Sequence, residues 1–91
     1  MSKFELANDY LYMRKAGKIT ISSVDPMDKE YLELTDVGAE MFELLVEKNL
    51  EKDQVIKAIQ NNYSAVDLTV IQRDLDDLIS VLVNKKILII N

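Results

Sequence analysis

The sequence predicts an α+β fold in which a three-stranded antiparallel sheet is followed by three helices. In the first third of the chain, apolar residues alternate with polar ones, as in strands with one buried face. From Val37 onwards they recur at helical spacing instead. The single Pro and one of the two Gly lie between the predicted strands, where turns are needed. With 91 residues the chain has room for one core, so we expect a single domain over residues 1–91.

Three segments have the composition of strands. Residues 10–14 and 18–24 are rich in β-branched and aromatic side chains, and Gly17 between them predicts a hairpin with a tight turn. Residues 25–28 contain the Pro and two Asp, which favour a turn, and lead into a third strand over residues 30–34. The strands therefore form an antiparallel meander, and its last strand has a free edge.

The third predicted strand continues into the first predicted helix without a linker. Thr35 has a side chain suited to the N-cap position. The helix that follows is apolar around most of its circumference, and its polar stripe consists of Glu40, Glu43 and Glu47. A helix of this kind is normally central to a core, so we expect the sheet and two further helices to cover it.

Two amphipathic helices are predicted after the central one. The second spans residues 53–62, and the third and longest runs from Asp67 or Leu68 to about Asn84. The apolar tail at residues 87–90 is too short to cross a membrane, and we expect it to form a terminal strand or to plug the core.

Composition excludes several classes of function. The chain contains no Cys and no His, so thiolate nucleophiles, imidazole bases and the commonest zinc ligands are absent. Its net charge of −5 opposes binding to nucleic acid and to anionic membrane surfaces. No apolar run is long enough to cross a bilayer, and the N-terminal segment lacks the apolar region of a secretory signal. We therefore expect a cytoplasmic protein that uses no metal or cofactor and whose macromolecular partners are peptides or proteins.

The densest carboxylate cluster, formed by Asp74, Asp76 and Asp77, does not indicate a metal or catalytic site. A calcium loop places its acidic residues at alternate positions around a Gly on irregular backbone. These three residues instead lie on a predicted regular helix that contains no Gly. A glycosidase-like pair would also need a cleft that separates the two pKa values, and so short a chain suggests none. We interpret the cluster as a solvated helix face and expect no catalytic activity.

The order of strands and helices is also that of a winged helix-turn-helix, in which the last helix enters the major groove of DNA. Here that helix carries four Asp and only Arg73 between Asp67 and Asn84, so its surface repels phosphates. The alternative function on this basis is an acidic winged-helix domain that mediates protein contacts in transcription regulation. A hydrolase is a more distant one.

Three sequence blocks carry a resemblance to a known family. They are YLELTDVGAEMFELL at residues 31–45, VIKAIQNNY at 55–63 and DLTVIQRDLDDLISVLVNKKIL at 67–88. In this order and spacing they resemble the PqqD family, which comprises the pyrroloquinoline quinone biosynthesis D proteins and the recognition elements of ribosomally made, modified peptides. The sequence departs from the family at residues 84–86, Asn-Lys-Lys, where relatives often have a Gly that ends the last helix.

The resemblance implies a non-catalytic peptide chaperone. Such domains hold the leader of a precursor peptide as an added strand beside the third strand and against the third helix. They present it to a separate maturation enzyme, often a radical S-adenosylmethionine enzyme, or to a lasso-type processing protein. A free strand edge beside an apolar-lined helix is suited to strand addition.

The expected peptide-binding residues lie on the third predicted strand and on the third predicted helix. They are Glu30, Tyr31, Leu32, Glu33 and Leu34 on the strand and Arg73, Asp74, Asp77, Leu78 and Val81 on the helix. Backbone groups of a strand bond alternately to its two sides, which leaves two registers open. The partner faces either Tyr31 and Glu33 or Glu30, Leu32 and Leu34.

Overall fold

A three-stranded sheet, a two-stranded sheet and three helices share one hydrophobic core, which confirms the predicted α+β class. The computed structural model describes residues 3–90. Its elements, in chain order, are β1 (Phe4–Leu6), β2 (Tyr10–Lys15), β3 (Lys18–Ser23), β4 (Tyr31–Thr35), α1 (Asp36–Val46), α2 (Lys52–Asn62), α3 (Leu68–Asn84) and β5 (Leu88–Ile90).

The predicted meander is confirmed, with strand order β2-β3-β4 and antiparallel pairing throughout. Ala16 and Gly17 form the two-residue turn of the β2–β3 hairpin, and both have positive φ, 53° and 79°. Two successive residues with positive φ are typical of a type I′ turn, whose twist matches that of the flanking strands. This turn sets the register in which Tyr12 lies opposite Ile21, and Ile21 in turn lies opposite Leu32.

The apolar C-terminal tail forms a terminal strand, which confirms one of the two predicted arrangements. β5 pairs antiparallel with β1, so that Phe4 lies opposite Ile90 and Leu6 lies opposite Leu88. The backbone N–H of Ala7 extends this pairing by donating to the carbonyl of Ile87 at 2.8 Å. The partner strand β1 was not predicted, because three residues are too few to display a period.

The joint between β4 and α1 has no linker, as predicted. The strand ends at Thr35 and the helix begins at Asp36, whose φ of 52° lies in the left-handed region. Asp tolerates this conformation better than most residues, and it turns the chain from strand to helix within one residue. Thr35 occupies the predicted N-cap position, but its side chain makes no capping hydrogen bond. The prediction was therefore right about the position and wrong about the bond.

Helix α1 lies at the centre of the core, as its apolar circumference predicted. Met41, Phe42 and Leu45 are almost completely buried, and α1 packs against both sheets and both other helices. The remaining fully buried large side chains come from the sheet and the flanking helices; they are Ile19, Ile21, Val55, Ile59, Ile71, Leu75 and Leu82.

Helix α3 is capped at both ends. The Asp67 carboxylate accepts from the Thr69 backbone N–H at 3.0 Å. At the other end, the N–H of Ile87 donates to the Leu82 carbonyl at 2.8 Å and the N–H of Lys86 donates to the Val83 carbonyl at 3.0 Å. This is the hydrogen-bond pattern of a Schellman motif. Lys86, with φ of 62°, takes the left-handed position that a Gly usually fills.

Candidate functional site

The exposed side of β4 is a free sheet edge, and the hairpin determines which of its backbone groups are free. The residues that flank a two-residue turn form a hydrogen-bonded pair, here Lys15 and Lys18. Such pairs recur at every second residue along the two strands. The N–H of Val24 donates to the Asp9 carbonyl at 2.9 Å, which continues the same series beyond the strand ends. The even-numbered residues of β3 therefore bond to β2, and its odd-numbered residues bond to β4.

The register of β4 follows directly from this alternation. Ile19 lies opposite Leu34 and Ile21 lies opposite Leu32, so the backbone of these two leucines is bonded to β3. The N–H and C=O groups of Tyr31 and Glu33 consequently point away from the sheet. Of the two registers that the sequence left open, the structure favours the one in which Tyr31 and Glu33 face a partner.

The side chains of β4 divide in the same way. Leu34 is buried and Leu32 half-buried, and both pack on the core. Tyr31 is 68% exposed, and Glu33 is also exposed, with its carboxylate 3.6 Å from the Lys18 ammonium. Because side-chain direction and backbone direction both alternate with a period of two, the residues with free backbone groups are also those with solvent-facing side chains.

Glu30 does not belong to the strand edge, which corrects the predicted start of this strand. β4 begins at Tyr31, and the N–H of Glu30 donates to the Asp28 carboxylate at 3.0 Å. An Asp side chain that bonds the backbone two residues later makes an Asx turn, so Glu30 ends the β3–β4 loop.

A cavity of about 180 Å³ lies at the start of β4. It is lined by two tyrosines, three aliphatic side chains and three charged residues, namely Tyr10, Tyr31, Ile21, Leu32, Ile87, Asp28, Glu30 and Lys85. Small-molecule sites typically have volumes of roughly 300–1,000 Å³, so this cavity is suited to a single anchoring side chain rather than to a metabolite. Its acidic residues favour a cationic or hydrogen-bond-donating group at the rim.

The predicted residues of α3 lie closer to the N-terminus of the helix than the cavity does. None of the five lines it; the contribution from this end of the helix comes from Lys85, just beyond α3. Val81 and Leu78 precede Lys85 by four and seven residues and therefore lie on the same helix face. Asp74 is one turn further back, roughly 16 Å from Lys85 along the axis at 1.5 Å per residue.

Arg73 and Asp77 lie beside this face, and the charges of α3 are partly paired. The Nε atom of Arg73 is 3.9 Å from an Asp74 carboxylate oxygen. Lys52 forms an ion pair with Asp76. Asp77 makes no ion pair within residues 3–90, so it is available to a cationic partner.

Sequence reasoning missed five cavity residues, namely Tyr10, Ile21, Asp28, Lys85 and Ile87. The Tyr10 hydroxyl donates to the Lys85 carbonyl at 3.3 Å, a contact between residues 75 positions apart. Ile21 and Asp28 had a local signal, as parts of the predicted strand and turn that precede the third strand. The other three meet there because β1 and β5 pair.

A polar cluster joins β2 to the C-terminal end of α1, on the side of the sheet opposite the β4 edge. The Tyr12 hydroxyl donates to one Glu47 carboxylate oxygen at 2.7 Å, and Arg14 donates to the other at 2.6 Å. Burial, together with the hydrogen bond to Glu47, raises the pKa of Tyr12 to about 12. The hydrogen bonds from Tyr12 and Arg14 hold the pKa of Glu47 below its usual range. Tyr12 also packs edge-on against Phe42, with ring centroids 5.2 Å apart, so the cluster fixes the sheet on the central helix.

Two features, a metal-ion cluster and a membrane-spanning helix, are absent from the described residues. Residues 3–90 contain no group of three or more acidic, His or Cys side chains placed to hold a metal ion. Within the same range, no helix is both long and apolar enough to span a bilayer. The candidate peptide site consists of the β4 edge, the adjoining cavity and the exposed face of α3.

Comparison with known proteins identifies a structural neighbour and a family. The curated proteins contain no match to this chain. Among solved structures, that of TbiB1 in complex with the TbiA(beta) leader peptide matches with a TM-score of 0.80 at 25% sequence identity, covering 92% of this chain and 93% of that chain. The model of the family described as Coenzyme PQQ synthesis protein D (PqqD) matches residues 23–88, a range that includes β4 and all three helices. As the three sequence blocks predicted, the chain belongs to the PqqD family.

Proposed function

We propose that this chain is a non-catalytic recognition protein that binds the leader of a ribosomally made precursor peptide and presents it to a separate maturation enzyme. The leader adds to the free edge of β4 as a fourth strand. The observation that carries this proposal is the pair of unbonded backbone positions, Tyr31 and Glu33, next to a cavity of side-chain size. Family membership and the likeness to TbiB1, whose structure contains a leader peptide, support it.

Strand addition accounts for both affinity and specificity. Main-chain hydrogen bonds to Tyr31 and Glu33 hold any extended peptide in register, while pockets select its side chains. The cavity receives one alternate side chain of the peptide. Val81 and Leu78, on the face of α3 that ends at Lys85, are the candidate walls for the next ones.

Charge indicates which leaders bind. Asp28 and Glu30 lie at the cavity, and Asp77 on α3 has no ion-pair partner in the described chain. We therefore expect Lys or Arg in the bound segment of the leader. Exposed pairs contribute little affinity but accelerate encounter, so the effect belongs mainly to the association rate.

The absence of Cys and His from the sequence supports a role without catalysis. The chemistry then belongs to the partner, either a radical S-adenosylmethionine enzyme or a lasso-type processing protein. The comparisons do not favour the alternative of a winged-helix domain in transcription.

A proline substitution tests the edge. Glu33→Pro removes one outward donor, and we expect it to weaken binding to the leader of the cognate precursor peptide by about 1 kcal/mol, the typical value of one hydrogen bond. Glu33→Ala is the matched control, since it removes the same side chain but keeps the N–H. Leu32→Pro removes an inward donor and should lower the melting temperature instead.

Fluorescence polarisation and thermal melting give the two readouts. Equal leader affinities of Glu33→Pro and Glu33→Ala would show that the edge is not the binding strand. A Glu33→Pro variant that melts as readily as Leu32→Pro would refute the assigned register.

A further inference from the structure

The three-stranded sheet has a second face that packs on nothing in the described chain. We call it the outer sheet face, and define it by the side chains that point away from the core. They stand in three rows across β2, β3 and β4: Leu11, Ser22 and Tyr31; Met13, Thr20 and Glu33; and Lys15, Lys18 and Thr35. Helix α1 and the core occupy the opposite face, which carries Ile19 and Ile21.

The outer sheet face exposes three large apolar or aromatic side chains. Leu11 is 46% exposed and Met13 is 65% exposed, and Tyr31 completes the row of Leu11. A depression of about 400 Å³ lies beside Met13, bordered by Thr20, Ser22 and the two lysines. Exposed apolar side chains that cluster on one face mark interaction surfaces, whereas scattered ones do not.

The charge of this face is opposite to that of the chain. It carries two lysines and one glutamate, on a protein whose net charge is −5. Glu33 lies 3.6 Å from Lys18, whereas Lys15 makes no ion pair within residues 3–90. The hairpin end of the face is therefore complementary to a partner surface that bears carboxylates.

The area and the charge of this face disfavour a dimer of this chain that uses the face alone. Three strands spaced about 4.8 Å apart and five residues long cover roughly 240 Å². A stable interface buries about 800 Å² on each partner. Two copies that shared this face would also bring together surfaces of the same net charge. A different protein with carboxylates at the matching position fits better, and its contact must extend beyond this face.

The face is continuous with the β4 edge. A strand added to β4 widens the sheet by about 4.8 Å, and every second side chain of the peptide joins the rows of Tyr31 and Glu33. A protein seated on the outer sheet face therefore contacts the domain and the bound peptide together, and buries more area when the peptide is present.

We propose that the outer sheet face is the docking surface for the maturation enzyme, through an enzyme patch with an apolar centre and carboxylates opposite Lys15. This inference rests on the proposed function, since it assumes that a bound leader is handed to a second protein. Leu11 and Met13 form the apolar contact, and Lys15 steers the approach of the enzyme.

The test compares two sets of exposed apolar residues. The double variant Leu11→Thr/Met13→Thr removes apolar area but keeps residues that favour strands. The matched control is Met27→Thr, which changes a methionine that is 85% exposed in the β3–β4 loop, away from this face. The probes are a synthetic leader of the cognate precursor and the purified cognate maturation enzyme. Affinity for each is measured separately, and the affinity for the enzyme is measured with and without leader.

We expect the double variant to keep its melting temperature and its leader affinity within about twofold, and to lose roughly tenfold or more in enzyme affinity. The control should lose nothing, and Lys15→Glu should slow association with the enzyme most at low salt. Unchanged enzyme affinity of the double variant would overturn the proposal.

A concentration-dependent dimer of the wild-type chain that the double variant abolishes would assign the face to a second copy and also overturn it. Because the enzyme is also titrated without leader, a failure of leader binding would refute the proposed function and still leave a direct reading of this surface.

Discussion

The two sheets of this protein are assembled over very different distances along the chain. β2, β3 and β4 pair with their immediate neighbours in sequence, whereas β1 and β5 join the two ends of the described chain. The cavity lies where the two assemblies meet, with Tyr31 and Leu32 on one side and Lys85 and Ile87 on the other. The edge that we propose binds peptide is thus encoded locally, but the wall opposite it depends on a long-range contact.

We expect the small sheet, β1–β5, to be as necessary to the fold as the three-stranded sheet. Phe4 in β1 is buried in the shared core, so Phe4→Ala should lower the free energy of unfolding by about 4 kcal/mol. Glu5→Ala, one residue along and exposed, should change it by about 0.5 kcal/mol or less. Urea titration measures both.

A loss of less than about 1 kcal/mol for Phe4→Ala would show that the β1–β5 sheet is an accessory to an independent core. Phe4→Leu retains most of the buried apolar area and allows the measurement if the alanine variant does not fold.

A substitution in the large sheet tests how much that sheet contributes to the shared core. Ile21 is 1% exposed and lies between Tyr12 and Leu32 in the central row, so Ile21→Ala should cost about 3 kcal/mol. Its neighbour Ser22 points to the outer sheet face, and Ser22→Ala should have little effect. Because both sheets share one core, far-ultraviolet circular dichroism and tyrosine fluorescence should report one transition. Two separate transitions would show that the sheets unfold independently.

The turn between α3 and β5 offers a stabilising change. Lys86 holds a positive φ, which costs a residue other than Gly roughly 1–2 kcal/mol. Lys86→Gly should therefore stabilise the protein by about 1 kcal/mol, seen as a higher denaturation midpoint with an unchanged slope. Lys85→Gly is the control, because Lys85, the C-cap residue of α3, has a negative φ of −82° and gains nothing from Gly, which should destabilise there. Destabilisation by both substitutions would contradict the assigned turn.

The smallest predicted effect concerns the contact of the large sheet with α1. The pKa of Tyr12 is raised from 10.0 to about 12, so the folded state favours its neutral form. The contribution of the Tyr12 hydroxyl to the free energy of unfolding is complete below pH 10 and is lost as the pH rises towards 12. The stability advantage of the wild type over Tyr12→Phe should shrink across that range in melting experiments. An advantage that is constant with pH would show that the hydroxyl is not coupled to Glu47.

The comparison of the two sheets also explains which parts of the site could be predicted. Residues 10–14, 18–24 and 30–34 each display a strand period and are separated by turn residues, so the meander and its free edge followed from local pattern. The start of β4 was placed one residue early, because alternation continues through Glu30 while the Asx turn at Asp28 ends the loop there. Ile87 and Lys85 could not be placed at the cavity, since no local pattern reports a contact with the other end of the chain.

Local spacing in the sequence is enough to predict the α+β class, the order of elements, the joint at Thr35 and Asp36 and the membership of the family, because each depends on patterns within a few turns or strands. Which backbone groups of β4 are free follows from the tertiary structure alone. That choice depends on a turn of two residues, Ala16 and Gly17, and a turn one residue longer would exchange the inward and outward positions of the whole strand. The tertiary structure also decided the far wall of the cavity, because the pairing of Phe4 with Ile90 is a packing event between segments that share no local signal.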